Sequence, residues 1–144
     1  KMTTKIMKDN ELDPFNEFEE NMGYLDPLKD ELLIKYGKYQ FMTNVQPLEI
    51  ASRLKIIADQ KNCNVKVIPQ DNEILIRCAV GYTHNNANNP PNEDVIICCK
   101  QYHVHKKDAH LVKFCGVKGS WMSCNVALKD IFHAPDLISV MKID

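Results

Sequence analysis

Two pairs of β-rich runs, each broken by a short polar turn, constrain this chain most. Asn64 to Ile68 and Glu73 to Val80 flank Pro69-Gln70-Asp71-Asn72, while Val95 to Val104 and Ala109 to Val117 flank His105-Lys106-Lys107-Asp108. Pro, Asp and Asn preset or tolerate the backbone of a tight turn. Side chains alternate around Lys100, Tyr102 and Val104, and again at Leu111, Lys113 and Cys115, as in strands. Each pair therefore reads as a hairpin.

The clearest helix runs from Pro47 to Gln60. Pro47 suits a first helical turn, Glu49 complements the positive end of the helix dipole, and Leu48, Ile50, Leu54, Ile57 and Ala58 recur at three- and four-residue steps. Arg53, Lys55 and Asp59 fall opposite. Tyr36 to Thr43 is predicted as a strand before it. After the second hairpin, Gly116 and Gly119 frame a turn, and a short strand is expected near Ser120 to Cys124, with Trp121 as a core or rim anchor. Val126, Leu128, Ile131 and Phe132 then suit a helix interrupted at Pro135 and resumed from Asp136 through Met141. The expectation is an α+β fold: an antiparallel sheet of four to five strands packed by an N-terminal and a C-terminal helix. A chain of 144 residues can bury such a core as one domain.

Two segments stand outside that pattern. Residues 81–94 hold five asparagines and Pro90-Pro91, too little apolar surface to order themselves, so a mobile loop is expected. From Asp9 to Glu31 nine acidic residues face one lysine, with Phe15, Phe18, Met22, Tyr24 and Leu25 scattered among them. Residues 1–35 therefore read as an acidic tail or docking segment, with Phe15, Phe18 and Tyr24 as its candidate anchors, ahead of a domain over 36–144. From Val95 to Asp144 the bias reverses, with seven lysines and four histidines against four aspartates. The acidic start argues against nucleic acid as a partner. The basic end leaves an anionic partner open, with Lys100, Lys106, Lys107, Lys113 and Lys118 as its candidate surface.

No group of residues converges on a reaction. His103 and His105 lie two apart at a strand end with His110 across the turn, and three imidazoles can bind zinc. Lys106 and Lys107 beside them oppose a cation, so the hairpin tip reads as a polar turn. Cys98 and Cys99 are adjacent and point to opposite faces of a strand. Cys78 and Cys115 also sit in strand-like runs, and no C-x-x-C pair occurs, which suits reduced thiols of an intracellular protein. Gly116-Val117-Lys118-Gly119-Ser120 lacks the spacing of a phosphate-binding loop. No catalytic residue, metal or cofactor is expected. A cytoplasmic protein is expected, with the nucleus or a membrane surface as alternatives.

Specific residues add a resemblance. Phe41-Met42-Thr43 followed by Pro47-Leu48-Glu49-Ile50 and a helix through Ile57 resembles the opening of the kinase-associated C-terminal domain of AMP-activated, checkpoint and MARK-type Ser/Thr protein kinases. Val95-Ile96-Ile97-Cys98-Cys99-Lys100-Gln101-Tyr102, then Lys107-Asp108-Ala109-His110-Leu111-Val112-Lys113-Phe114 and Val117-Lys118-Gly119, is similar to that family's second hairpin. The likeness covers about residues 38–143. It departs from the family where Tyr36-Gly37-Lys38-Tyr39 replaces a tryptophan-bearing first strand. The 81–94 loop also lacks the serines of the family's insertion, and the Gly-rich loop, H-R-D and D-F-G of a catalytic domain are absent from the chain. The resemblance implies a non-catalytic regulatory or docking domain. Such a domain would restrain a kinase catalytic domain or scaffold its regulatory subunits, or alternatively bind anionic phospholipid at a membrane. A small enzyme built on His103, His105 and His110 is the remaining alternative.

Overall fold

A computed structural model describes residues 17–18, 25–27, 39–81, 92–104 and 109–141. The chain is α+β. In order come β1 (Asp26–Pro27), β2 (Gln40–Thr43), α1 (Pro47–Gln60), β3 (Asn64–Ile68), β4 (Glu73–Val80), β5 (Glu93–His103), β6 (His110–Lys118), α2 (Trp121–Phe132) and α3 (Pro135–Ile138). Five strands pair antiparallel in the order β2-β6-β5-β4-β3. β5 outruns β4, whose Glu73 lies opposite Lys100, and β1 pairs parallel with the overhang, Asp26 to Tyr102 and Pro27 to His103.

Helix α1 has the bounds that its pattern predicts. Pro47 opens it, and its buried residues Pro47, Ile50, Ala51, Leu54, Ile57 and Ala58 fall on one face. It stops because Asn62 takes the left-handed conformation, φ 56°, which lets Cys63 N donate back to Ala58 O at 2.8 Å. Asn72, φ 54°, turns β3 into β4 after the 3₁₀ turn Pro69–Asp71 in the same way. Asparagine tolerates that region better than most residues.

Helices α1, α2 and α3 cover one face of the sheet. Against them the strands turn Val67, Ile74, Ile76, Val95, Ile97, Cys99, Val112 and Phe114, which form one core with α1 and α2. Fully burying each aliphatic side chain contributes about 1.5–3 kcal/mol, so this interface carries the fold. Phe132 of α2 sets its ring edge-on to Tyr39, Phe41 and Phe114 at 5.3, 5.8 and 5.1 Å, which fixes the helix across β2 and β6. Thr43 Oγ1 donates to Val140 O at 2.7 Å and accepts from Val45 N, and Arg53 Nη1 donates to Asp136 O. These bonds bind the end of the chain to β2 and α1.

Several expectations need correction. Ser120 to Cys124 is not a strand but the start of α2: Ser120 Oγ caps the helix by accepting from Ser123 N. Trp121, on the first turn, is 80% exposed and anchors no core. The inward stripe is Cys124, Ala127, Leu128 and Ile131, and Val126 points out. Gly116 does not open a turn, because β6 continues to Lys118. A register shift there sets Ile97 opposite Gly116 but Ile96 opposite Lys118, so Val117 is the extra residue of a bulge. The chain turns only at Gly119, whose φ of 116° excludes most side chains. The 81–94 loop is shorter than expected as well. Glu93 and Asp94 belong to β5, and Glu93 carboxylate oxygens accept from Ser120 N at 2.6 Å and Ser120 Oγ at 2.9 Å, at the mouth of α2. Residues 82–91 lie outside the described residues.

The acidic segment enters the fold at two described places. Phe18 is fully buried in the main core and so is not a partner-facing anchor, and Leu25 packs against that core just before β1. Phe15 and Tyr24 lie outside the described residues.

Candidate functional site

Strand alternation places part of the basic surface on the sheet face opposite the helices. One row across it runs Ile68, Glu73, Lys100, Lys113 and Gln40, each opposite the next on neighbouring strands. Beside it runs the row Lys66, Leu75, Cys98 and Cys115. Beyond that lie Asn64, Arg77, Ile96 and Lys118. Among the described residues, Lys66, Arg77, Lys100, Lys113 and Lys118 are met there by the carboxylates of Asp26, Glu73 and Asp94, so the face is net positive.

Lys100 and Lys113 stand directly opposite each other, where like charges repel. The protein compensates with the acidic segment. Asp26 Oδ2 is 3.1 Å from Lys100 Nζ, and the same ammonium lies 5.4 Å from the centre of the Tyr102 ring. Partial burial works against the Lys100 charge, but the hydrogen bond to Asp26 and the neighbouring Tyr102 and Glu73 outweigh it and raise its pKa. Lys118 is engaged differently. Its Nζ lies 3.1 Å from Asp94 Oδ2, and Arg77 grips both oxygens of that carboxylate at 2.9 and 2.8 Å. The Arg77 hydrogen bond, then that from Lys118, lowers the Asp94 pKa to about 2. The structure therefore brings Lys100 and Lys113 together and puts Lys118 in a separate cluster. Lys106 and Lys107 lie outside the described residues.

His103 and His110 are partners across β5 and β6, with ring centres 6.3 Å apart, and His110 Nδ1 lies 2.9 Å from Gln101 Nε2. His105 lies outside the described residues. No group of three or more His, Cys, Asp or Glu side chains among the described residues could hold a metal ion. No described helix is long and apolar enough to cross a membrane.

Two features escaped the sequence reading. Val117 and Trp121 are exposed at a groove between β6 and α2 that Tyr39 and Phe114 also line, and Met122 and Val126 are exposed elsewhere on α2. The Ser-x-x-Ser cap at Ser120 was the signal that Trp121 opens a helix. The six cysteines are free thiols, and two of them, Cys98 and Cys115, are cross-strand partners on the open face. Their parity across the hairpin was readable only once the turn length was known. Cys115 is exposed, and the Cys98 hydrogen bond followed by the nearby Lys113 charge outweighs partial burial and lowers its pKa to about 6. The same contact, joined by burial, raises Cys98.

No protein-family model matches the chain, and no curated protein matches it.

Proposed function

We propose that this chain is a non-catalytic regulatory or docking domain of a Ser/Thr protein kinase. The observation that carries the reading is where the two family-like blocks fall. Residues 41–57 form β2 and α1, residues 95–119 form the β5–β6 hairpin, and α2 closes the same sheet behind them. The helices occupy one face, which leaves Lys100 and Lys113 on the other for an acidic partner surface. The domain would act by holding a kinase catalytic domain in check or by joining it to regulatory subunits. Sequencing the reading frame around Lys1 tests the premise: a protein-kinase catalytic domain in the same frame supports it, and a frame without one removes it.

The net-positive face supports a second reading, recruitment to anionic phospholipid. A basic residue near an anionic bilayer contributes about 1 kcal/mol, so a few lysines suffice for weak, salt-sensitive binding. Sedimentation with phosphatidylserine vesicles and with neutral vesicles separates the two readings. Equal, negligible binding to both ends the lipid reading and leaves the kinase reading intact.

A further inference from the structure

We propose that Cys98 and Cys115 form a peroxide-responsive dithiol that two-electron oxidation closes into a disulfide across β5 and β6. The two residues are register partners on the open face. Val104 N donates to Ala109 O at 3.3 Å, and counting along the ladder in even steps makes Cys98 and Cys115 a hydrogen-bonded pair too. Such pairs hold their Cα atoms about 5.5 Å apart, within the range a disulfide spans, so closure needs no strand to move.

Access divides the roles. Cys115 is exposed and Cys98 is only 6% exposed, so a peroxide in solution meets Cys115 first. Lys113 on β6 and Glu73 on β4 are the nearby charges on that face, Lys113 favouring a Cys115 thiolate and Glu73 opposing it. In the first step the Cys115 thiolate attacks one peroxide oxygen. The O–O bond breaks, an S–O bond forms, and hydroxide leaves to take a proton and become water. Cys98 sulfur then attacks the sulfenic sulfur of Cys115. The S–O bond breaks, and the hydroxyl leaves as water with the Cys98 proton. Two thiols lose two electrons in total, and one peroxide becomes two waters.

The other thiols supply an internal comparison. Extending the β3–β4 register one step beyond Asn64 and Arg77 sets Cys63 opposite Cys78. That pair also faces across strands but in a different setting: both thiols are half-buried, and burial first of all raises both, Cys78 to about 12. Cys99 is fully enclosed on the helix face, and burial raises its pKa as well. The dithiol rests on the ladder and not on the docking function.

The test treats the full chain with equimolar hydrogen peroxide at neutral pH and then blocks remaining thiols with N-ethylmaleimide. Non-reducing peptide mass spectrometry follows, with fragmentation that separates Cys98 from Cys99. The expected result is loss of two of the six free thiols as a Cys98–Cys115 cross-link that dithiothreitol reverses. It should form at least about tenfold faster than any Cys63–Cys78 cross-link, because Cys115 is exposed whereas Cys63 and Cys78 are both half-buried. Cys98→Ser should instead leave Cys115 as sulfenic or sulfinic acid. A Cys63–Cys78 cross-link forming first overturns the proposal, as does over-oxidised Cys115 beside an alkylated Cys98 in the wild-type chain, or no loss of thiol at all.

Discussion

Asp26 Oδ2 lies 3.1 Å from Lys100 Nζ, so the acidic N-terminal segment supplies the counter-anion for a lysine that otherwise faces Lys113 across the hairpin. The negative and positive halves of the sequence, separate when read along the chain, meet at this contact. An acidic partner of the open face therefore competes with a carboxylate already in place.

Replacing that carboxylate should strengthen anion binding. Asp26→Asn removes one negative charge beside Lys100 and Lys113, and a unit charge near an anionic bilayer corresponds to about 1 kcal/mol. Affinity for phosphatidylserine vesicles should rise about fivefold at low salt and converge with wild type as salt screens the surface. Unchanged vesicle affinity would show that Asp26 does not guard the face.

Phe18 tests whether the acidic segment belongs to the fold. The side chain is wholly buried in the main core, so Phe18→Ala should lower unfolding free energy by about 3–5 kcal/mol in urea titration. Trp121→Ala, at an exposed site, should stay within about 0.5 kcal/mol of wild type. Equal stability of the two variants would place Phe18 outside the core.

Thr43 joins β2 to the C-terminal end of the chain. Thr43→Val keeps the shape but leaves the buried Val140 carbonyl and Val45 N–H without this partner, a cost of about 1–3 kcal/mol. Amide exchange should quicken at Val140 and Val45 before the sheet centre responds. Uniform change across the sheet would argue against a local tie.

Asp94 gives the protein an acid-sensitive contact. Its folded pKa, about 2, lies below the ordinary 3.8, so its stabilisation is full above about pH 4 and is lost as pH falls toward 2. Asp94→Asn should flatten the stability profile in that window and leave the slope near neutrality unchanged. Denaturant titrations at a series of pH values measure this. Identical profiles for both proteins would show that Arg77 and Lys118 contribute nothing through Asp94.

The parts of the fold legible in the sequence were those with local periodicity. Helix α1 had its Pro47 start and apolar stripe, and both hairpins had alternation and turn residues. What stayed hidden depended on which helix face packs or on residues far apart in the chain. Trp121 and Val126 are apolar yet exposed, because Cys124, Ala127, Leu128 and Ile131 already fill the inward face of α2. Glu93 looked like loop, but its carboxylate meets Ser120 at the helix mouth, 27 positions away. The bulge at Val117 carried no residue signal beyond Gly116. Of the candidate site, the lysines on β5 and β6 were readable by alternation. The Asp26 contact was not, because two-residue β1 has no pattern of its own and is placed only by the β5 overhang.

Binding of this chain to the protein-kinase catalytic domain of the same reading frame tests the docking function most directly. Calorimetric titration should give saturable binding that weakens when Lys100 and Lys113 are both replaced by glutamate and tightens with Asp26→Asn. A frame without a kinase catalytic domain, or such a domain that the wild-type chain does not bind, would contradict it.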